Sequence, residues 1–105
     1  MGLDIIIVEH KGYKDNGDLI IETPKEDLPY STDRYSIRKE ISKNVDFKVL
    51  NSGKYYDPEE YYRPTDFKKA YEWVDSIEDE GNKDYLIKLF KSLEMNPKYY
   101  LEYNY

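Results

Sequence analysis

The sequence predicts a small α+β domain: a mostly antiparallel sheet of about four strands packed against a two-helix hairpin, with room for one further short helix. Three observations carry this expectation. A β-branched run, Leu3 to His10, opens the chain. Two stretches with helical spacing of apolar residues stand side by side between Thr65 and Met95. A closing segment, Lys98 to Asn104, alternates apolar and polar positions. At 105 residues the chain fits one domain, residues 1–105.

The elements follow in order. Leu3 to His10 (LDIIIVEH) is apolar on both faces, as in a central, covered strand. Asp15-Asn16-Gly17-Asp18 is a turn signal, and Leu19 to Glu22 is its hairpin partner, ended by Thr23-Pro24. Lys25 to Tyr30, between two prolines, reads as a loop. Ser31-Thr32-Asp33 are expected to cap a short helix to about Lys43, on a thin stripe of Tyr35, Ile37 and Ile41. Asp46 to Leu50 reads as a third strand, followed by the turn Asn51-Ser52-Gly53-Lys54. Tyr55 to Arg63 fits a strand, a bulged extension or an irregular loop.

From Thr65 the helical spacing is clearer. Phe67, Ala70, Tyr71, Val74 and Ile77 recur at i, i+3, i+4 and i+7, and Asp66 lies in the first turn, where the helix dipole favours an acid. Glu80-Gly81-Asn82 is expected to end this helix. Asn82 then caps a second one with Leu86, Ile87, Phe90 and Leu93 as its apolar face, stopped by Asn96-Pro97. In the closing strand Tyr99, Leu101 and Tyr103 share a face.

Composition bounds the function classes. Charged residues make up 36% and aromatic residues 16%, which is polar but rich enough in rings to supply a core. There is no cysteine, which removes disulfides, thiolate metal sites and thiol nucleophiles. This suits a reducing cytoplasm, the expected location. No apolar run approaches the length of a membrane helix, Met1-Gly2-Leu3-Asp4 lacks the basic flank of a signal peptide, and Ile6 stands where myristoylation wants Ser or Thr. Lys outnumbers Arg 13 to 3, a pattern of A+T-rich genomes.

The net charge of −6 is unevenly placed. Residues 57–80 hold nine acids against three bases, while elsewhere 13 acids balance 13 bases. No basic stripe for direct nucleic-acid binding is visible.

Catalytic signals are weak, so the chain is expected not to be an enzyme and to need no cofactor or metal. His10 is the only histidine and has no evident nucleophile beside it, which favours a structural role. Asp15-Asn16-Gly17-Asp18 is too short for a Ca²⁺ loop and reads better as turn chemistry. The five glycines are scattered, and no phosphate loop occurs.

The candidate contact surface combines tyrosines and acids. There are 13 tyrosines, three pairs among them, and tyrosine joins a rigid apolar ring to a polar tip. Tyr55, Tyr56, Asp57, Glu59, Glu60, Tyr61 and Tyr62 form one segment; Asp75, Glu78, Asp79 and Glu80 form another. In a strand a Tyr-Tyr pair puts one ring on each face, so at most half can be core there. Tyr71 and Tyr85 are expected in the core. Three acids in a row at a helix C-terminus would be disfavoured by the dipole, which singles out residues 78–80. The bland alternatives are core rings and a solvated acidic face. The functional reading is a partner with a basic surface, a protein patch of Lys and Arg or, in a sharper form, a DNA-binding groove whose phosphate array is imitated. A competing reading is a nucleotide-signal ligand held by Arg34 and Arg38, one helical turn apart, with Tyr35 stacked on a base.

The opening Met1-Gly2-Leu3-Asp4-Ile5, and the helix, Asn-Pro stop and aromatic tail of Leu93-Glu94-Met95-Asn96-Pro97-Lys98-Tyr99-Tyr100, resemble small phage and prophage proteins of unknown function. The resemblance covers about a fifth of the chain and transfers no catalytic residue. It implies a small acidic protein in the cytoplasm of a bacterial host, of the kind that binds and inhibits a host defence or nucleic-acid-handling factor.

Overall fold

A computed structural model describes residues 4–25, 28, 35–51 and 60–104. These form five strands and three helices in one α+β fold: β1 (Asp4–Tyr13), β2 (Leu19–Glu22), α1 (Tyr35–Asn44), β3 (Phe47–Asn51), β4 (Glu60–Pro64), α2 (Phe67–Asp75), α3 (Glu80–Met95) and β5 (Tyr99–Asn104). The sheet runs β2-β1-β5-β4-β3, with every pairing antiparallel. The last strand in the chain therefore lies at the centre, joining the N-terminal hairpin to the β3–β4 hairpin.

The strand count corrects the expectation of four. The extra strand is β4, which begins in the ambiguous 55–63 segment and runs to Pro64. Its alternation is blurred by adjacent tyrosines, and what defines it is pairing: Phe47 opposite Pro64, Leu50 opposite Tyr61, and Tyr62 opposite Leu101. Pro64 ends the strand, a position where a missing N–H is tolerated. Thr65 then anchors the exit through its backbone N–H and hydroxyl, both donating to the Asp46 carbonyl (3.0 and 3.2 Å).

The first hairpin closes as expected at Asp15–Asp18. Gly17 N–H donates to the Lys14 carbonyl (2.9 Å), the Asn16 side chain accepts from Asp18 N–H (3.1 Å), and Gly17 takes φ 89°. Pairing slips between His10 and Gly12, a bulge at which Gly12 adopts φ 141°, a conformation a side chain would strain.

The helices cover one face of the sheet. Ile5 and Ile7 of β1 and Tyr99 and Leu101 of β5 meet Ile37 and Ile41 of α1, Ala70 and Val74 of α2, and Leu86, Leu89, Phe90 and Leu93 of α3. Burying a side chain such as Phe90 contributes about 1.5–3 kcal/mol. Tyr71 and Tyr85, expected in the core, are half-buried and pack at its border. On the opposite face Val8, Tyr61 and Tyr100 are buried in a smaller cluster flanked by Ile6, Leu19, Ile21 and Leu50. β1 is thus apolar on both faces because each face contributes buried residues.

The helix boundaries correct a second expectation. The first helix of the hairpin ends at Asp75, where the Ser76 N–H and hydroxyl donate to the Trp73 carbonyl (3.0 and 2.6 Å), not at Glu80-Gly81-Asn82. The second begins at Glu80. Its N-cap is Asp79, whose Oδ1 accepts from Asn82 N–H (2.9 Å), so Asn82 is a capped residue rather than the cap. Gly81 lies in the first turn, where the cap outweighs its poor helix propensity. α3 stops at Asn96-Pro97 as expected, with Lys98 N–H on the Asn96 side chain (2.9 Å).

Candidate partner-binding surface

The expected surface separates into parts. Tyr55, Tyr56, Asp57 and Glu59 lie outside the described residues, as do Ser31-Thr32-Asp33, the Ser52–Lys54 turn and Arg34. Glu60 is exposed at the start of β4 and accepts from the Tyr62 hydroxyl (2.6 Å). Tyr61 is only 3% exposed, packed with Val8 and Tyr100, which removes it from any contact surface of the folded chain. Strand alternation turns Tyr61 away from the helices, into the cluster with Val8 and Tyr100. Tyr62, on the helix side, is half-buried against Phe47 and Tyr103, with ring centroids 5.7 and 5.2 Å apart.

The acids at 75–80 remain accessible, but their setting inverts the expected one. Glu78 and Asp79 are in the link between helices, and Glu80 opens α3. They stand at a helix N-terminus, where the dipole favours anions, so the supposed cost of placing them there vanishes. Asp75 ends α2 and is bridged by Lys83 Nζ, which reaches its carboxylate (3.3 Å) and its carbonyl (3.3 Å).

Of the residues of the ligand reading, only Arg38 has its side chain among the described residues. Tyr35 opens α1, and its side chain lies outside what the structure describes. Arg38 is half-buried with its guanidinium over the Tyr103 ring, 5.2 Å from the centroid. That contact stacks the flat face of the guanidinium and does not itself use the in-plane N–H groups that would hold a phosphate. His10 likewise packs edge-on against Tyr13 and Tyr100 (centroids 5.0 and 6.1 Å). Among the described residues no group of three or more His, Asp and Glu side chains is placed to hold a metal ion, and no helix is long and apolar enough to cross a membrane.

The feature the sequence reading missed is an open groove between α2 and α3. Lys68, Tyr71, Glu72 and Asp75 supply one wall, at i, i+3, i+4 and i+7; Ile87, Lys91 and Glu94 supply the other. It continues past Ile87 to Ile77, Glu78, Glu80, Lys83 and Asp84. The two parts measure about 690 and 550 Å³, room for several side chains rather than a single ion. The helical spacing was present in the sequence, but it was read only for the core-facing stripe. Across the groove the Tyr71 hydroxyl donates to Glu94 Oε1 (3.1 Å). Desolvation first, then this bond and the Glu94 charge, push the Tyr71 hydroxyl up to about 12.

Arg63 was also missed. Its Nη1 donates to the carbonyls of Leu93 (2.7 Å), Asn96 (3.0 Å) and Tyr99 (3.0 Å), and its guanidinium lies over Phe67 (5.1 Å). Desolvation lowers its pKa, opposed by electrostatic interaction with Tyr100 and Glu94. It ties β4 to the α3–β5 turn and is a structural cation, not a member of the surface.

No protein-family model, curated protein or solved structure matches this chain. The surface must therefore be read from its own chemistry. It offers carboxylates set around a partly apolar groove.

Proposed function

We propose that the chain is a small acidic binding protein that inhibits or modulates a host bacterial protein through a basic patch on that partner, acting in the bacterial cytoplasm without catalysis or a cofactor. The observation that carries this reading is the concentration of the whole charge excess in residues 57–80, combined with the exposure of Glu60, Asp75, Glu78, Asp79 and Glu80. Such a field speeds association with a cationic surface and selects against anionic ones. The resemblance to small phage proteins supports the host context. Of the tyrosine contribution, Tyr61 drops out, and the surface centres on the α2–α3 hairpin.

Affinity purification from a bacterial lysate, with the wild-type chain and a Glu60→Lys/Glu78→Lys/Glu80→Lys variant as baits, tests the proposal. A host protein retained by the first and lost by the second is expected. Equal recovery of the same proteins by both baits overturns it.

A further inference from the structure

The groove between α2 and α3 allows that reading to be taken a step further. Half-buried Tyr71, Ile77 and Ile87 and buried Val74 provide an apolar strip within it. Around that strip stand six acids, Glu72, Asp75, Glu78, Glu80, Asp84 and Glu94, against three lysines. The charges are not mixed evenly. Glu72, Asp75 and Glu94 share their half with Lys68 and Lys91, while Glu78, Glu80 and Asp84 beyond Ile87 share theirs with Lys83 alone. In that acidic half Lys83 is already engaged with Asp75. A groove with an apolar strip and its strongest acidity toward one end is complementary to a particular kind of chain.

We infer that the α2–α3 groove receives one amphipathic helical segment of the partner, its apolar ridge on Ile77 and Ile87 and its Lys/Arg cluster over the acidic end at 78–84. The lining of α3 runs from Glu80 to Glu94, about 21 Å at the helical rise, which matches a segment of about 14 residues. An apolar ridge at i, i+3, i+4 and i+7 gives such a segment its anchors. The acids supply orientation and approach rate, and the apolar strip supplies the holding energy. The inference rests on the reading of the chain as a binder of basic proteins, but it makes a separate claim about shape.

The experiment uses the full chain and two synthetic peptides of identical Leu/Lys composition. One has its leucines on a single helical face and its lysines concentrated at one end; the other has them scrambled around the helix. Binding is followed by two-dimensional ¹H–¹⁵N NMR and by calorimetry. The expected result is amide shifts along the lining of α2 and α3 with the amphipathic peptide, and affinity at least about tenfold above the scramble. Ile87→Asp is expected to abolish that advantage; Glu78→Lys/Glu80→Lys is expected to weaken it while leaving the apolar strip intact. Thermal melts of both variants confirm that they are folded, and the double charge variant tests the claim even if Ile87→Asp unfolds.

Equal affinity for the two peptides, absent binding, or shifts mapping to another face overturns the inference. So does a dimer in sedimentation that Ile87→Asp dissociates, since the groove would then belong to a second copy of the chain. Failure here with host-protein capture still lost on charge reversal removes only the helical occupant. Unchanged capture after charge reversal removes the acidic-binder reading itself.

Discussion

The N-terminus of α3 is capped from within its own turn, whereas its C-terminus is capped by a side chain 30 residues away in sequence. Both ends leave backbone groups without helical partners and both meet charge of the favourable sign. Asp79 accepts from Asn82 N–H at one end; Arg63 donates to the Leu93 and Asn96 carbonyls at the other. The local solution is exposed and surrounded by further acids, Glu78 and Glu80. The remote one is half-buried and joins a strand, a helix and a turn. The lesson is that the N-terminal acids form an exposed surface that the dipole tolerates, while the C-terminal cation serves the fold.

Removing the remote cap should have the largest effect. Arg63→Met keeps much of the apolar stem over Phe67 but leaves three carbonyls without their charged donor, and is expected to destabilise the chain by about 3 kcal/mol in urea denaturation. Arg63→Lys restores the charge but not the planar guanidinium, so it should recover only part of the loss. An Arg63→Met loss as small as that of a surface substitution would show that the turn carbonyls find other partners and that the two ends do not differ as described.

The local cap comes second. Asp79→Ala is expected to cost about 1 kcal/mol, and Asp79→Asn less than half of that, because asparagine keeps the hydrogen bond and gives up only the charge. Host-protein capture separates the two roles of these acids. If the N-terminal acids are a surface, Glu78→Lys/Glu80→Lys changes binding far more than stability, whereas Asp79→Ala changes stability first.

The same contrast explains what could be read from the sequence. Elements whose signals are local were legible: the Asp15–Asp18 hairpin, the apolar spacing of α2 and α3, the Asn96-Pro97 stop and the alternation of β5. So was the two-sided burial of β1. Features that depend on distant residues were not. β4 carries tyrosines on both faces, and only its partners Leu50 and Leu101 reveal it as a strand. The central place of β5 and the triple carbonyl bond of Arg63 join positions brought together only by folding. The start of α3 was misjudged by a local competition, since Gly81 reads as a terminator until Asp79 is recognised as the cap. For the surface, the exposure of Glu60, Glu78 and Glu80 followed from charge patterning. The burial of Tyr61 depended on the cluster with Val8 and Tyr100, and the groove on a second helical stripe beside the core-facing one.

The smallest expected effect lies where the two ends of α3 come closest in chemistry. Glu94 is an acid in the last turn, where the dipole is unfavourable, and it is balanced by the Tyr71 hydroxyl and the nearby Arg63 charge. Tyr71→Phe removes the hydroxyl and is expected to lower stability by about 0.5 kcal/mol at neutral pH. Its pH dependence is the sharper readout. The unfolded tyrosine titrates near 10, and the folded one at about 12. Between these values the folded chain holds a proton that the unfolded chain has lost. The Tyr71 contribution is therefore fully present below pH 10 and is lost as pH rises toward 12. In urea titrations at pH 9 and 11, the stability advantage of wild type over Tyr71→Phe should fall at the higher pH and pass toward or below zero. An advantage that stays constant or grows would mean that the hydroxyl does not keep its proton for Glu94, and that this end of α3 relies on Arg63 alone.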